Sequence, residues 1–252
     1  MQKALKLSIF FIIIVVRSAK WHCTAPRSYF SHDNDLADWS FRATTQPHVP
    51  YEVFYIARHG GGVHNVKEAA VGRVECENHW TRLDGNNELV WADTPLTSQG
   101  EEEALEAARF WRNPAEKDEI PTPESLYSSP LQRCLRTLDL KFSSLLISLS
   151  LPFTSIIKEL VCERNGVRTC DWRTSKSHIQ THYPGFLIEA SFSENDELWN
   201  LNARELLSDI FKNDVSGFVS LTSHSGAILG LLRATGYVEV PIKAGADVSV
   251  IA

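Results

Sequence analysis

With 252 residues, the chain can bury one substantial core but is short for two large domains. Apolar residues make up 43% and charged residues 22%, ordinary values for a globular protein. The net charge of −6 argues against nucleic acid or an anionic membrane as partner, because both are usually gripped by a basic excess. An anionic small-molecule ligand would need the positive charge gathered into one pocket.

At the N-terminus, Lys3 and Lys6 precede the apolar run Leu7–Val16, and Arg17-Ser18-Ala19-Lys20 follow. The run falls well short of the roughly twenty residues that span a bilayer as a helix. A basic front before a short apolar core suits a signal peptide, so residues 1–19 are expected to be a signal peptide or short anchor, with cleavage best placed after Ser18. The alternatives are an uncleaved anchor and a start without a targeting role. A working leader implies the secretory pathway; without one the cytoplasm is expected. Residues 20–48 carry scattered aromatics with no clean periodicity and are expected to be an arm, leaving 49–252 as one catalytic domain.

From Tyr51 the pattern changes. Tyr51–Ala57 is a nearly continuous apolar run that predicts a buried parallel strand, and Gly60–Gly62 predict a tight turn after it. A helix is expected over Leu96–Asn113, with Ser98 and Glu101 as a capping box and Pro114 as its stop. Ser125–Ser129 reads as a strand, and Pro130 opens a helix through about Leu149. Ile156–Cys162 and Phe218–Thr222 are further strands, Ser175–Tyr183, Asn202–Lys212 and Gly226–Thr235 further helices, and Val248–Ile251 a closing strand. Alternation of this kind predicts an α/β fold, with a mainly parallel central sheet flanked by helices on both faces.

Three polar clusters recur just past the end of an apolar strand: Arg58-His59-Gly60, Ser129-Pro130 with Arg133, and Ser223-His224-Ser225-Gly226. Ligands of open α/β sheets bind outside the carboxyl ends of the strands, so the clusters should meet in one crevice. Two Arg and two His there would supply the positive pocket required above. Guanidinium groups match phosphate oxygens as a fork, and flexible Gly60–Gly62 would let the backbone approach an anion. An unprotonated imidazole at His59 can attack phosphorus if its other nitrogen is pinned as a donor to a backbone carbonyl; Arg58, Arg133 and a second His then stabilise the equatorial oxygens. A carboxylic acid near a phosphate dianion tends to keep its proton, and Glu163, before the Arg164-Asn165-Gly166 turn, is the first choice for the leaving-group acid; Asp93 is the second. The cysteines Cys23, Cys76, Cys134, Cys162 and Cys170 form an odd set, which favours buried thiols, with a Cys162–Cys170 bridge as the alternative. No zinc-ligand spacing occurs, and neither metal nor cofactor is expected.

Five blocks in order carry a resemblance: Arg58-His59-Gly60 with Asn65, DTPLTSQG from Asp93, SSPLQRCLRT from Ser128, Glu163 with Gly166, and SHSG from Ser223. Over most of 51–235 the chain resembles the histidine phosphatase (phosphoglycerate mutase-like) superfamily. RHGGGVHN, TCDWR at 169–173 and NDELW at 195–199 are most similar to its fungal and plant phosphomutase-like branch. The resemblance implies a three-layer fold and His59 as the phosphorylated nucleophile. It further implies Arg58, Arg133 and His224 as phosphate ligands, and Glu163 as proton donor and then base. Asn65 is implied as a substrate contact, with Arg173 as a second anionic contact and His64 as either a contact or loop packing. Two departures narrow the branch. Ser225 follows His224 where the acid phosphatases carry an acid, and Gly61 follows the triplet where glycolytic mutases usually carry Glu. The expected function is hydrolysis of a small phosphorylated metabolite, with no stable protein partner implied. A phosphomutase and a non-catalytic phosphate-binding module are the competing expectations.

Overall fold

The computed structural model describes residues 12–17, 51–85, 90–112, 122–163, 168–197 and 203–235. Six strands form one sheet: β1 (Ile12–Arg17), β2 (Tyr51–Arg58), β3 (Ser125–Ser128), β4 (Ser155–Ile157), β5 (Phe186–Ile188) and β6 (Phe218–Ser223). Their order is β1-β2-β6-β3-β4-β5. The five strands from β2 to β5 are parallel, and the backbone of β1 lies antiparallel beside β2.

Period-two alternation along β2 sends its side chains to two separate cores. Phe54 and Ile56 pack with Val219 and Leu221 of β6 against helices α6 (Ala203–Asn213) and α7 (Ser225–Ala234). Val53 and Tyr55 face the other way, toward Trp111 of α3 (Ser98–Arg112) and Leu138, Phe142 and Leu145 of α4 (Gln132–Ser148). Both sheet faces are therefore covered, which is why β2 reads as a nearly continuous apolar run. A smaller cluster of Leu135, Ile157, Ile179 and Phe192 seats α5 (Lys176–His182).

Several expectations are adjusted. The strand expected over Ile156–Cys162 ends at Ile157, and Glu159–Val161 curl into a 3-10 turn. There the chain leaves the sheet because Glu159 accepts from Arg173 Nε at 2.9 Å while its own N–H donates to Glu189 at 2.6 Å. The cap of α3 is Thr97, not Ser98: Thr97 Oγ1 accepts from Gly100 N at 3.0 Å. Helices α1 (Val63–Val71) and α2 (Arg73–Asn78), and strand β5, were not expected. Cys76, Cys134, Cys162 and Cys170 are buried free thiols, so the alternative Cys162–Cys170 bridge is not formed. Val248–Ile251 and Cys23 lie outside the described residues. Among the described residues, no helix is long and apolar enough to cross a membrane.

Candidate active site

Strand register brings the three polar clusters to one level. Arg58, ending β2, is paired with Ser223, ending β6, and Ser128 of β3 is paired with Thr222. The ladder continues one step beyond, with His59 N donating to Ser223 O and Ser129 N to Thr222 O, both at 3.0 Å. His224 then caps α7, and α4 begins close enough to Ser129 to present Arg133 from its first turn.

His59 is 2% exposed, and its Nδ1 lies 2.7 Å from Gly60 O. A carbonyl only accepts, so Nδ1 carries the proton and donates, leaving the lone pair on Nε2. Burial holds the His59 pKa well below the usual histidine range, and Arg133, His224, Arg58 and His64 push the same way. The ring sits 5.1 Å from that of His224 and 5.6 Å from that of His64. His224 is likewise kept neutral by burial and then by Arg133; Ser129 Oγ lies 2.7 Å and Cys134 Sγ 3.3 Å from its Nε2. Burial raises the Cys134 thiol far enough to keep it protonated.

Arg133 is buried and oriented from below. Its Nη1 donates to Cys170 O at 2.6 Å and its Nη2 to Asp171 Oδ1 at 3.2 Å, while its buried Nε has no acceptor among the described residues. Burial opposes the Arg133 charge, but Asp171 and its neighbours outweigh it and raise the pKa. Asp171 is in turn pushed up to about 6 by burial, against the pull of Arg133. Thr137, one helical turn after Arg133, donates to Arg133 O at 2.7 Å and accepts from Gly60 N at 3.0 Å, tying α4 to the His59 turn. Burial lowers the Arg58 pKa, opposed by the charge of Glu163. Glu163 is half-buried, and its Oε2 accepts from Gly226 N at 3.2 Å in the first turn of α7.

Other expected residues have different work. Arg173 is 6% exposed, and its donors go to oxygens of the protein. Its Nε and Nη2 bind Glu159, its Nη1 donates to Thr174 O at 3.0 Å, and its Nη2 also reaches Ser193 O at 3.0 Å and Asn195 O at 2.6 Å. Asn65 Oδ1 accepts from Gly62 N at 3.0 Å and so closes the first turn of α1. His64 Nδ1 lies 2.8 Å from Thr94 Oγ1. Asp93, the second choice as acid, is buried with φ 43°, in the left-handed region that costs a residue with a side chain about 1–3 kcal/mol. Its Oδ1 accepts from Gln132 N at 2.9 Å and its Oδ2 from Thr174 N and Oγ1 at 3.4 Å each. The Asp93 carbonyl also accepts from the Gln132 side chain. Asp93 is thus a strut between the start of α4 and the 169–174 segment, with both carboxylate oxygens committed.

The amides of the three glycines are bonded within the protein: Gly60 N donates to Thr137, Gly61 N to Glu103 Oε2 at 2.8 Å, and Gly62 N to Asn65. What requires glycine is close packing on α3, where a Cβ on Gly60 would collide with Gly100 O and a Cβ on Gly100 with the Gly61 backbone. Within TCDWR it is Asp171 that contacts Arg133, a pairing that sequence spacing does not mark. Among the described residues, no group of three or more His, Cys, Asp or Glu could hold a metal ion.

An α/β fold that gathers its buried positive charge around an unprotonated imidazole at the strand ends belongs with enzymes that handle phosphate through histidine. The model of the histidine phosphatase superfamily (branch 1) matches residues 54–149, a span that holds Arg58, His59 and Arg133. The chain resembles the histidine phosphatase superfamily over this span, and the curated proteins it is similar to are fungal. One, from Arthroderma benhamiae and described as "Probable phosphoglycerate mutase", is 40% identical over 81% of this chain and 64% of its own length. "Phosphomutase-like protein 3" of Candida albicans is 30% identical over 79% of this chain and 65% of its own. The chain therefore spans just under two thirds of these relatives. Among solved structures, a phosphoglycerate mutase from Thermus thermophilus aligns with TM-score 0.40 and 18% identity, covering 76% of this chain and 88% of that one.

Proposed function

We propose that this enzyme hydrolyses phosphomonoesters of small metabolites through a phosphohistidine at His59. The observation that carries this is the Nδ1–H donated to Gly60 O at 2.7 Å, which leaves a lone pair on Nε2 of a neutral, buried ring. Nε2 attacks phosphorus, the ester oxygen departs with a proton from Glu163, and phosphate becomes bonded to His59. Glu163, now a carboxylate, takes a proton from water, whose oxygen attacks the phosphohistidine; inorganic phosphate leaves and His59 returns to its starting form. Arg58, Arg133 and His224 stabilise the charge on the transferring group. No step needs a metal.

A mutase would differ only in the second half, returning phosphate to another hydroxyl instead of to water. The names of the fungal relatives favour that alternative, while Gly61 at the position after Arg-His-Gly supports hydrolysis. Incubation with p-nitrophenyl phosphate and a panel of phosphorylated metabolites, without added metal, separates the two. Stoichiometric free phosphate is expected; rearranged phosphoester without free phosphate would favour the mutase.

A further inference from the structure

The two histidines at the strand ends are held by partners of different chemistry. His59 Nδ1 faces the Gly60 carbonyl, which only accepts, so the partner alone fixes where the proton sits. His224 Nε2 faces a hydroxyl instead: Ser129 Oγ lies 2.7 Å away, and both residues are 0% exposed. A hydroxyl can donate or accept, so the tautomer of His224 depends on what else that hydroxyl bonds.

Sheet register sets the pair. Ser128 is paired with Thr222, and Ser129 N donates to Thr222 O at 3.0 Å, which holds Ser129 beside the end of β6. Pro130 has no N–H, so the next amide, Leu131 N, is the one that donates to Ser129 Oγ, at 3.4 Å. The hydroxyl already accepts there, and its own proton remains to be placed. An imidazole nitrogen at 2.7 Å is a better acceptor than the other group in reach, the Cys134 sulfur. Cys134 in turn donates its S–H to Ser223 O at 3.4 Å. Among the described residues, His224 Nδ1 meets only that sulfur, at 3.9 Å.

We infer that Ser129 is a positioning residue, whose hydroxyl donates to His224 Nε2 and so keeps the His224 proton on Nδ1. Its role in the reaction rests on the reading proposed above, in which His224 stabilises the transferring group. Burial, and then Arg133, keep the ring neutral, so the tautomer decides the sign of that interaction. With the proton on Nδ1 the ring offers an N–H to a phosphate oxygen; with the proton on Nε2 it would offer a lone pair, which repels one. Both histidines then carry their proton on Nδ1 and use it oppositely. His59 turns it into the backbone and keeps Nε2 bare, whereas His224 commits Nε2 to Ser129 and keeps the N–H.

Long-range proton–nitrogen NMR of the full chain, labelled at the histidine nitrogens, reads the proton on each ring without substrate or turnover. Wild-type His224, assigned by comparison with His224→Asn, is expected to show a protonated Nδ1 and a bare Nε2. Ser129→Ala should shift protons from Nδ1 to Nε2 and bind inorganic phosphate about tenfold more weakly in titration calorimetry. Cys134→Ala, which removes the other neighbour of Nε2, should keep the wild-type tautomer. A wild-type His224 protonated on Nε2, or on both nitrogens, overturns the inference before any variant is made. A Ser129→Ala protein with the spectrum and phosphate affinity of the wild type overturns it too, as does loss of the Nδ1 proton in Cys134→Ala. Absence of phosphate release from a protein with the expected tautomer would instead count against the hydrolase.

Discussion

The chemistry proposed at His59 rests on one hydrogen bond and on burial, and residues outside the proposed reacting groups hold its neighbours in place. Asp171 orients Arg133, and its pKa of about 6 lies above the ordinary aspartate value. The carboxylate that pairs with Arg133 is thus populated above about pH 6 and lost below it. Substrate affinity should weaken as pH falls through that range. In Asp171→Asn, KM should be raised about tenfold above pH 7 and the ratio to wild type should shrink below pH 6; taking the ratio cancels the substrate's own titration. Stability runs the other way. The folded-state pKa of both Asp171 and Asp93 is raised, so what they contribute to stability is fully present below about pH 4 and is lost as pH rises through about 6. Gly226 gives a second residue-scale prediction. A Cβ there would strike the Glu163 carboxylate, the far end of a flexible side chain, so Gly226→Ala should displace the acid without unfolding the protein. Turnover of esters with poor leaving groups should fall on the order of tenfold or more, and good leaving groups should suffer less. Equal losses on both would argue that Glu163 is not the donor.

Among the elements, the strands that carry the site were legible because each is buried on both faces and ends abruptly at a polar residue. Leu126 and Tyr127 are adjacent buried apolar residues of β3, and in β6 Val219 and Leu221 alternate with Ser220 and Thr222, which are buried as well. Helix α1 is not legible for the opposite reason: it buries no residue, so no apolar stripe marks it, and Gly72 at φ 83° ends it after nine residues. The role of Gly60–Gly62 was also hidden, because contact between two backbones leaves no trace in side-chain chemistry. The contact can be tested. Gly100→Ala sets a Cβ against the Gly61 backbone, which cannot move cheaply, and should lower unfolding free energy by about 1–3 kcal/mol. Gly61→Ala meets only side-chain oxygens at 3.6 to 3.8 Å and should cost less than about 1 kcal/mol. Equal denaturation midpoints for the two variants would sink the packing argument.

Across the whole molecule, the net charge of −6 conceals a buried cluster of Arg58, Arg133 and two neutral histidines, and only residues distant in sequence reveal it together. Arg173 and Asp171 illustrate what composition cannot separate: two charged residues in one short block, one bonded to Glu159 and the other to Arg133. The run at 12–17 joins two expectations in one segment. Its β-branched residues suit a strand as well as a leader core, and cleavage after Ser18 would remove β1 and leave β2 as an edge strand. The first residue of the protein isolated from its own source distinguishes the two. The most direct test of the chemistry itself is rapid acid-free quenching during turnover of a phosphorus-labelled ester, followed by peptide mapping. A base-stable, acid-labile phosphate on His59 is expected, absent in His59→Ala together with a loss of activity on the order of a thousandfold or more. Label on any other residue, or full turnover by His59→Ala, would contradict a phosphohistidine at His59.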